Sequence, residues 1–215
     1  MPATGNCQYY AVAMSLLDMR FDTPQHVKTV ELVTQLLKDG IAEATRHGYE
    51  VEFPHDIRQA ILVSTQLDSE GQDLTIPESA KESDLLFREY IREVAQSPSA
   101  VSAYLPIELW GTEVTLRMMA KLLQQAIFVV IAPYGLQTNV NYQVYKPERV
   151  TKFGFELDSA EDYYVAGSVS QKWFAQLQQA LNYQTNPPII LLFSNFHYSR
   201  VRFVQSPRST TPTQH

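Results

Sequence analysis

The sequence predicts an α+β fold, with a small central β-sheet, flanking helices and an inserted helical lobe. From residue 7 to about residue 96, apolar residues recur at the spacing of amphipathic helices. Two continuous apolar runs, at 126–131 and 189–193, predict buried strands later in the chain. Helices that come first, with strands after them, are typical of a domain that groups its helices beside a sheet.

The length and composition fit one folded domain. The chain has 215 residues, of which 45% are apolar and 19% charged, and its net charge is −6. This negative charge argues against nucleic acid as a partner, and no apolar run is long enough to predict a membrane span. A single cysteine forms no internal disulfide and, with no signal-peptide pattern at the start, favours a cytoplasmic location.

The first half of the chain is predicted to be almost wholly helical. A helix is expected at 7–19, and the pair Thr23-Pro24 supplies an N-cap and a first-turn proline for a second helix that Gly48 ends. Further helices are expected at 54–67 and at 78–96, where Ser97-Pro98-Ser99 breaks the pattern.

The second half adds one helix and the strands. A helix is expected at 113–125, directly before the buried run at 126–131. The alternation at 140–145 predicts a half-buried strand, and a helix is expected from about 170 to 181 within an ambiguous stretch. The run at 189–193 predicts a second buried strand, with 198–204 as its hairpin partner.

The single cysteine lies where a turn of small residues meets the first predicted helix, in Thr4-Gly5-Asn6-Cys7-Gln8-Tyr9. A thiol at a helix N-terminus lies beside the positive end of the helix dipole and unpaired N–H groups, which favours the reactive thiolate. A small buried structural thiol is the alternative for a lone cysteine. An early cysteine and a late histidine favour a cysteine hydrolase.

His197 is the partner expected for Cys7. Side chains alternate along a strand, so Asn195, His197 and Ser199 are predicted to share one face, while Phe196 and Tyr198 pack on the other. One imidazole nitrogen would face the thiol, and an acceptor oxygen of Asn195 or Ser199 would orient the other. A structural histidine satisfied by backbone groups is the alternative.

Three segments, in order along the chain, resemble motifs of the OTU (ovarian tumour) cysteine proteases. They are Gly5-Asn6-Cys7-Gln8-Tyr9-Tyr10-Ala11 at the nucleophile, Trp110-Gly111-Thr112-Glu113-Val114-Thr115-Leu116 ahead of a central strand, and His197-Tyr198-Ser199-Arg200-Val201 at the closing strand. The resemblance implies a papain-like OTU fold and a deubiquitinase. Such an enzyme cleaves the isopeptide bond after the C-terminal glycine of ubiquitin through a thioester acyl-enzyme.

The resemblance also implies roles for individual residues. Cys7 would be the nucleophile and His197 the general base. The usual Asp or Asn two residues after the histidine is Ser199 here, so Asn195 is the first substitute orienter. The oxyanion would be held by the backbone N–H of Cys7 and of the loop before it, Thr4, Gly5 and Asn6, where Thr4 replaces the family's usual Asp. No metal or cofactor is required.

Ubiquitin and polyubiquitin chains are the implied partners. The segment 133–145 is a possible substrate-facing loop, and the candidate substrate contacts are Trp110, Tyr134, Asn139 and Asn141. The long helical stretch before Trp110 resembles that of OTU-like effectors which intracellular bacterial pathogens inject into host cells. It either docks ubiquitin or is a structural elaboration.

We expect a catalytic domain at 1–205, with the helical lobe at 24–105 and a flexible polar tail at 206–215. We expect the chain to be a monomer and part of a longer multidomain protein. Three other functions stay open: a catalytically weak ubiquitin-binding member, which Ser199 favours; a Cys-His hydrolase for another ubiquitin-like modifier; and a helical interaction module without chemistry.

Overall fold

Helices pack around one mixed sheet in a computed structural model of the chain. The structure describes residues 4–46, 79–132, 140–147, 164–170, 173, 175, 177 and 188–201. The helices are α1 (Cys7–Leu17), α2 (Pro24–Arg46), α3 (Ala80–Gln96) and α4 (Glu113–Leu123), with a 3₁₀ turn at Ile107–Leu109. The strands are β1 (Ile127–Ile131), β2 (Asn141–Tyr145), β3 (Tyr164–Ser168), β4 (Ile189–Ser194) and β5 (His197–Arg200). The predicted α+β fold class is confirmed.

The described strands form one five-stranded sheet in the order β3-β2-β1-β4-β5. The two central strands, β1 and β4, are parallel, and the other pairs are antiparallel. The two continuous apolar runs of the sequence form β1 and β4. A strand that is covered on both faces is apolar throughout, because neither of its faces contacts water. The strand β5, which begins at His197, lies at an edge.

Alternate residues of the strands belong to two separate apolar clusters, one on each face of the sheet. On the first face, Val129 and Leu191 pack with the buried sides of all four helices. On the second face, Phe128 and Ile190 pack with Trp173 and Leu177, which are helical. Trp173 also stacks on Tyr142, with ring centroids 4.6 Å apart. The sheet is therefore covered by helical residues on both sides.

Most predicted helices and strands agree with the structure where it describes them, but β5 occupies His197–Arg200 and not 198–204. The Thr23 side chain accepts a hydrogen bond from the His26 N–H at 3.2 Å, so the predicted cap of α2 is confirmed. Each predicted helix ends within about three residues of its observed end, as fraying ends allow. The helix expected at 54–67 lies outside the described residues, and β3 was not predicted. No helix among the described residues is long and apolar enough to cross a membrane.

The helix α1 and the edge strand β5 are joined at both ends. At the first end, the backbone N–H of Tyr198 lies close enough to the Cys7 sulfur to lower the pKa of the thiol. At the other end, Arg200 donates to the carbonyl oxygen of Met19 at 2.9 Å and pairs with the Asp18 carboxylate. Asp18 is the left-handed C-cap of α1, so the two residues after the helix are both held. These contacts fix the start of β5 beside the start of α1.

Candidate active site

The three residues before the cysteine, 4–6, form what we call the reactive loop, and the segment 105–110 clamps it. The Leu105 N–H donates to the Thr4 carbonyl at 2.9 Å, and the indole N–H of Trp110 donates to the Leu105 carbonyl at 3.0 Å. Gly5 has φ +90°, and a β-carbon there would lie 2.6 Å from the Trp110 ring. Only glycine meets both conditions, since the backbone is left-handed and the indole closes the space.

The residue that would normally cap α1 does not cap it. Asn6 is fully buried, and its side-chain amide donates to the Pro98 carbonyl at 2.8 Å. The Asn6 side chain accepts no hydrogen bond from the first turn of α1, whose first helical bond runs from the Tyr10 N–H to the Asn6 carbonyl at 2.9 Å. The unpaired N–H groups at the start of a helix attract negative charge. They are therefore open to a sulfur anion or to a substrate oxyanion.

The second sequence motif holds the first turn of α1 in place. The buried Gln8 side chain donates to the Thr112 carbonyl at 3.2 Å and accepts from the Thr115 hydroxyl at 2.6 Å. Thr115 and Thr112 also form the capping box of α4. At Gly111, a β-carbon would lie 2.3 Å from the Gln8 side-chain oxygen. The Trp-Gly-Thr segment thus positions the nucleophile segment through Trp110 on one side and Gln8 on the other.

The Cys7 sulfur lies at the free edge of β5. Hydrogen-bonded and non-bonded pairs alternate along an antiparallel ladder. The Val201 N–H donates to Ile190, so Ser199 and His197 occupy bonded positions, and the N–H of Tyr198 points away from β4. This edge N–H lies close enough to the Cys7 sulfur to lower the pKa of the thiol. The structure therefore brings Cys7 against the residue that directly follows His197.

Burial of Cys7 opposes the thiolate that the helix N-terminus is expected to favour. The helix begins at Cys7 as predicted, but the residue is only 7% exposed. Burial raises the pKa of the thiol, and the N–H groups of Tyr198, Gln8 and Cys7 itself only partly oppose it. Burial also lowers the pKa of the His197 imidazole. At neutral pH, the pair is thus a thiol and a neutral imidazole.

The third residue of the site differs from the predicted arrangement. Asn195 and Phe196 have φ of 50° and 58° and form the two-residue turn between β4 and β5. Asn195 therefore does not share a strand face with His197, and Phe196 is 82% exposed instead of packed. Both expectations of the strand pattern are wrong, because the chain turns at these two residues.

The hairpin instead brings Ser194 opposite His197. The register pairs Ser194 with His197 and Leu192 with Ser199, and paired side chains lie on the same face. Tyr198 packs on the first face and Val201 on the second, so His197 and Ser199 belong to the second face. Sequence reasoning missed Ser194, although a turn at Asn195, a residue tolerant of positive φ, would have paired it with the histidine.

The Tyr198 side chain closes the first face beside the nucleophile segment. Its ring packs against Phe193, with centroids 4.7 Å apart. Burial raises its pKa to about 12, while a hydrogen bond from Gln8 acts in the opposite direction. Tyr198 is thus a neutral phenol that fills the space between β5 and α1.

The candidate substrate contacts are only partly described. Trp110 is half-buried against the reactive loop. Asn141 is exposed at the start of β2, and its side chain accepts from the Ser168 hydroxyl at 3.3 Å. It lies three strand spacings from β5, a distance of about 14 Å. Tyr134 and Asn139 lie outside the described residues, and no group of three or more possible metal ligands occurs among those described.

The chain is similar to solved structures of viral OTU domain proteases. No family model matches the chain, and no curated protein matches it. The viral OTU domain protease from Farallon virus is 10% identical to this chain, with a TM-score of 0.45. The match covers 95% of this chain and 82% of the viral chain. The Hazara virus OTU bound to ubiquitin is 13% identical with a TM-score of 0.37, covering 96% and 80%. The viral OTU domain protease from Dera Ghazi Khan virus is 12% identical with a TM-score of 0.37, covering 94% and 79%.

Proposed function

We propose that this protein is a thiol hydrolase of the deubiquitinase type. It would cleave the isopeptide bond after the C-terminal glycine of ubiquitin, with Cys7 as nucleophile and His197 as general base. One observation carries the proposal: Cys7 begins a helix that its N-cap side chain leaves uncapped, and its sulfur lies close enough to the N–H of the residue after His197 for that N–H to lower the pKa of the thiol. The three OTU-like sequence motifs supply the substrate class.

The neutral resting pair determines how the reaction would begin. The imidazole approaches the sulfur around the free edge of β5 and takes the thiol proton as the sulfur attacks the substrate carbonyl. The developing oxyanion accepts hydrogen bonds from the open N–H groups at the start of α1 and in the reactive loop. A general base must be neutral to accept a proton, and the lowered pKa of His197 keeps it so.

The proposed reaction has two half-reactions, which are acylation of Cys7 and hydrolysis of the resulting thioester. The proton held by His197 passes to the leaving lysine amine as the isopeptide carbon–nitrogen bond breaks, which leaves a thioester between Cys7 and ubiquitin. A water molecule then attacks the thioester and gives a proton to the same imidazole. The carbon–sulfur bond breaks, ubiquitin leaves with a free carboxylate, and the proton returns to the Cys7 sulfur.

The second imidazole nitrogen of His197 needs an acceptor that orients the ring. We propose that Ser194 or Ser199 accepts from the second imidazole nitrogen, because the strand register gives both residues the same face as His197. Asn195 stays a third candidate from the turn. A hydroxyl orients an imidazole without the stabilising charge of a carboxylate, so turnover should be modest for this class.

A ubiquitin-binding protein with weak catalysis is the second candidate function. The burial of Cys7, which raises the thiol pKa, favours it. We further propose that the protein acts in a reducing cytoplasm, in keeping with its single free cysteine. An effector acting in the cytoplasm of a host cell is the setting that the helical lobe suggests by resemblance.

The test is the intact mass of the protein after incubation with ubiquitin that carries a C-terminal electrophile. Cys7 is the only thiol of the chain, so an adduct of one ubiquitin identifies the nucleophile without mapping. We expect an adduct that Cys7→Ala abolishes and His197→Ala slows. Probes of other ubiquitin-like modifiers, run in parallel, test the substrate class. Folded protein that binds ubiquitin without forming an adduct would instead establish the second candidate.

A further inference from the structure

The reactive loop is tied to a fully buried lysine on α2. Lys38 has no exposed surface, and its ammonium donates to the Ser97 hydroxyl at 2.7 Å, the Ser97 carbonyl at 3.2 Å and the Pro98 carbonyl at 3.4 Å. The Pro98 carbonyl is the same oxygen that accepts from the Asn6 side chain at 2.8 Å. One oxygen therefore joins a buried cation to the residue directly before the nucleophile.

A buried ammonium is tolerated here because its surroundings are negative. Ser97 is the C-cap of α3, and the last carbonyls of a helix carry the negative end of its dipole. The Tyr9 ring also faces the ammonium, with 5.3 Å from the nitrogen to the ring centroid. Burial still lowers the pKa of Lys38 to about 8. These specific contacts therefore stabilise the Lys38 ammonium, because it has no contact with solvent.

Lys38 belongs to a polar stripe on α2 that holds the whole segment 95–101. Gln35 donates to the Ala95 carbonyl at 3.1 Å, and Glu31 accepts from the Val101 N–H at 2.7 Å. Residues 31, 35 and 38 share one helix face. Of the three, only Lys38 contacts an atom that is also bonded to the reactive loop.

We infer that Lys38 is a positioning residue for the oxyanion-binding N–H groups. Through the shared Pro98 carbonyl, it keeps the Asn6 side chain turned toward the segment 97–99 and away from the first turn of α1. Asparagine is a favoured capping residue, and released from Pro98 it would cap the N–H groups that the substrate needs. This inference rests on the proposed function for its effect on catalysis, but its structural part does not.

The first test is hydrogen exchange of the reactive loop, which needs no substrate. In Lys38→Met, we expect the amides of residues 5–9 to exchange at least about tenfold faster or slower than in the natural protein, because the loop changes its partners. The control Val30→Ala removes buried apolar volume from the same helix and leaves every donor intact. Equal exchange in Lys38→Met and the natural protein would overturn the inference.

The second test separates positioning from general stability. We expect Lys38→Met to lower kcat about 10- to 100-fold with KM little changed, while Val30→Ala lowers the melting temperature and keeps kcat. Alkylation of Cys7 by iodoacetamide forms no oxyanion, so its rate should fall much less than kcat. A loss of alkylation equal to the loss of kcat would show a collapsed site and contradict the inference.

A double-mutant cycle identifies the shared oxygen as the link. If Lys38 and Asn6 act through Pro98, adding Lys38→Met to Asn6→Ala should change loop exchange much less than Lys38→Met alone does. Additive effects would overturn the link. Should Lys38→Met fail to fold, Lys38→Gln keeps one donor and serves in its place. If the natural protein forms no ubiquitin adduct, the proposed function fails, yet the exchange measurements still decide the inference.

Discussion

Replacing Gly5 by alanine should damage both the stability and the activity of this protein. Gly5 has φ +90°, a backbone conformation that costs an alanine about 1–2 kcal/mol. The new methyl group would also lie 2.6 Å from the Trp110 ring and 2.9 Å from the Leu105 side chain. The ring cannot move freely, because its N–H is bound to the Leu105 carbonyl, and Leu105 is bound in turn to Thr4.

The two effects can be added as an order of magnitude. Overpacking at a rigid contact costs about 1–3 kcal/mol, so the free energy of unfolding should fall by about 2–5 kcal/mol in all. For a domain of this length, that lowers the melting temperature by roughly 4–20 °C. A shift of the reactive loop by about 1 Å would also lower kcat about 100-fold.

The matched control is Gly40→Ala, the same change inside α2. A β-carbon there would lie 2.6 Å from a terminal methyl group of Leu122, a side chain that is 39% exposed and free to move aside. Alanine is favoured over glycine in a helix by about 1 kcal/mol. We expect Gly40→Ala to match or exceed the natural stability and keep full activity, measured by thermal circular dichroism and turnover at 20 °C. A Gly5→Ala protein as stable and active as the natural one would refute the reasoning.

Three further predictions follow from the site. Because burial raises the pKa of Cys7, its alkylation rate should rise with pH to a midpoint above that of a free cysteine peptide in the same buffer, and a lower midpoint would contradict the neutral thiol. The midpoint of the acid limb in the pH profile of kcat/KM should lie below about pH 6.5, because the lowered pKa of His197 keeps the base neutral at more acidic pH. A midpoint above that value would argue against His197. Thr115→Val should lower the free energy of unfolding by about 2–4 kcal/mol, since it leaves the Gln8 oxygen and the Thr112 N–H without their partner. Thr29→Val, at an exposed hydroxyl of α2, is the control for urea unfolding and should be near neutral.

The sequence predicted the elements well and the local geometry of the site poorly. The apolar runs at 126–131 and 189–193 predicted buried strands, and the Thr23-Pro24 pair predicted where α2 begins. The turn at Asn195-Phe196 was missed because a bulky aromatic residue occupies a position that favours glycine, so the pattern read as a continuous strand. The resulting pairing of Ser194 with His197 was therefore hidden.

The contacts of buried polar side chains were also beyond pattern reasoning. Lys38 lies in an amphipathic helix, where a lysine is normally solvated, and nothing in its spacing shows that three oxygens meet it 59 or 60 residues later in the chain. The thiol pKa of Cys7 depends in the same way on tertiary burial, which outweighs the local helix dipole that the sequence does reveal. Long-range desolvation and pairing are properties of the folded chain.

The contacts between α1 and β5 also determine when the site exists during folding. Arg200 reaches Asp18 and Met19 across 181 or 182 residues, and Cys7 meets the strand of His197 over a similar separation. Contacts of such high sequence separation form late, since a long loop must close before they gain anything. During synthesis, Cys7 leaves the ribosome well before the hairpin at 189–200, so it has no His197 beside it until that hairpin emerges. We therefore expect any chain truncated before residue 197 to carry the Cys7 thiol but to have no hydrolytic activity.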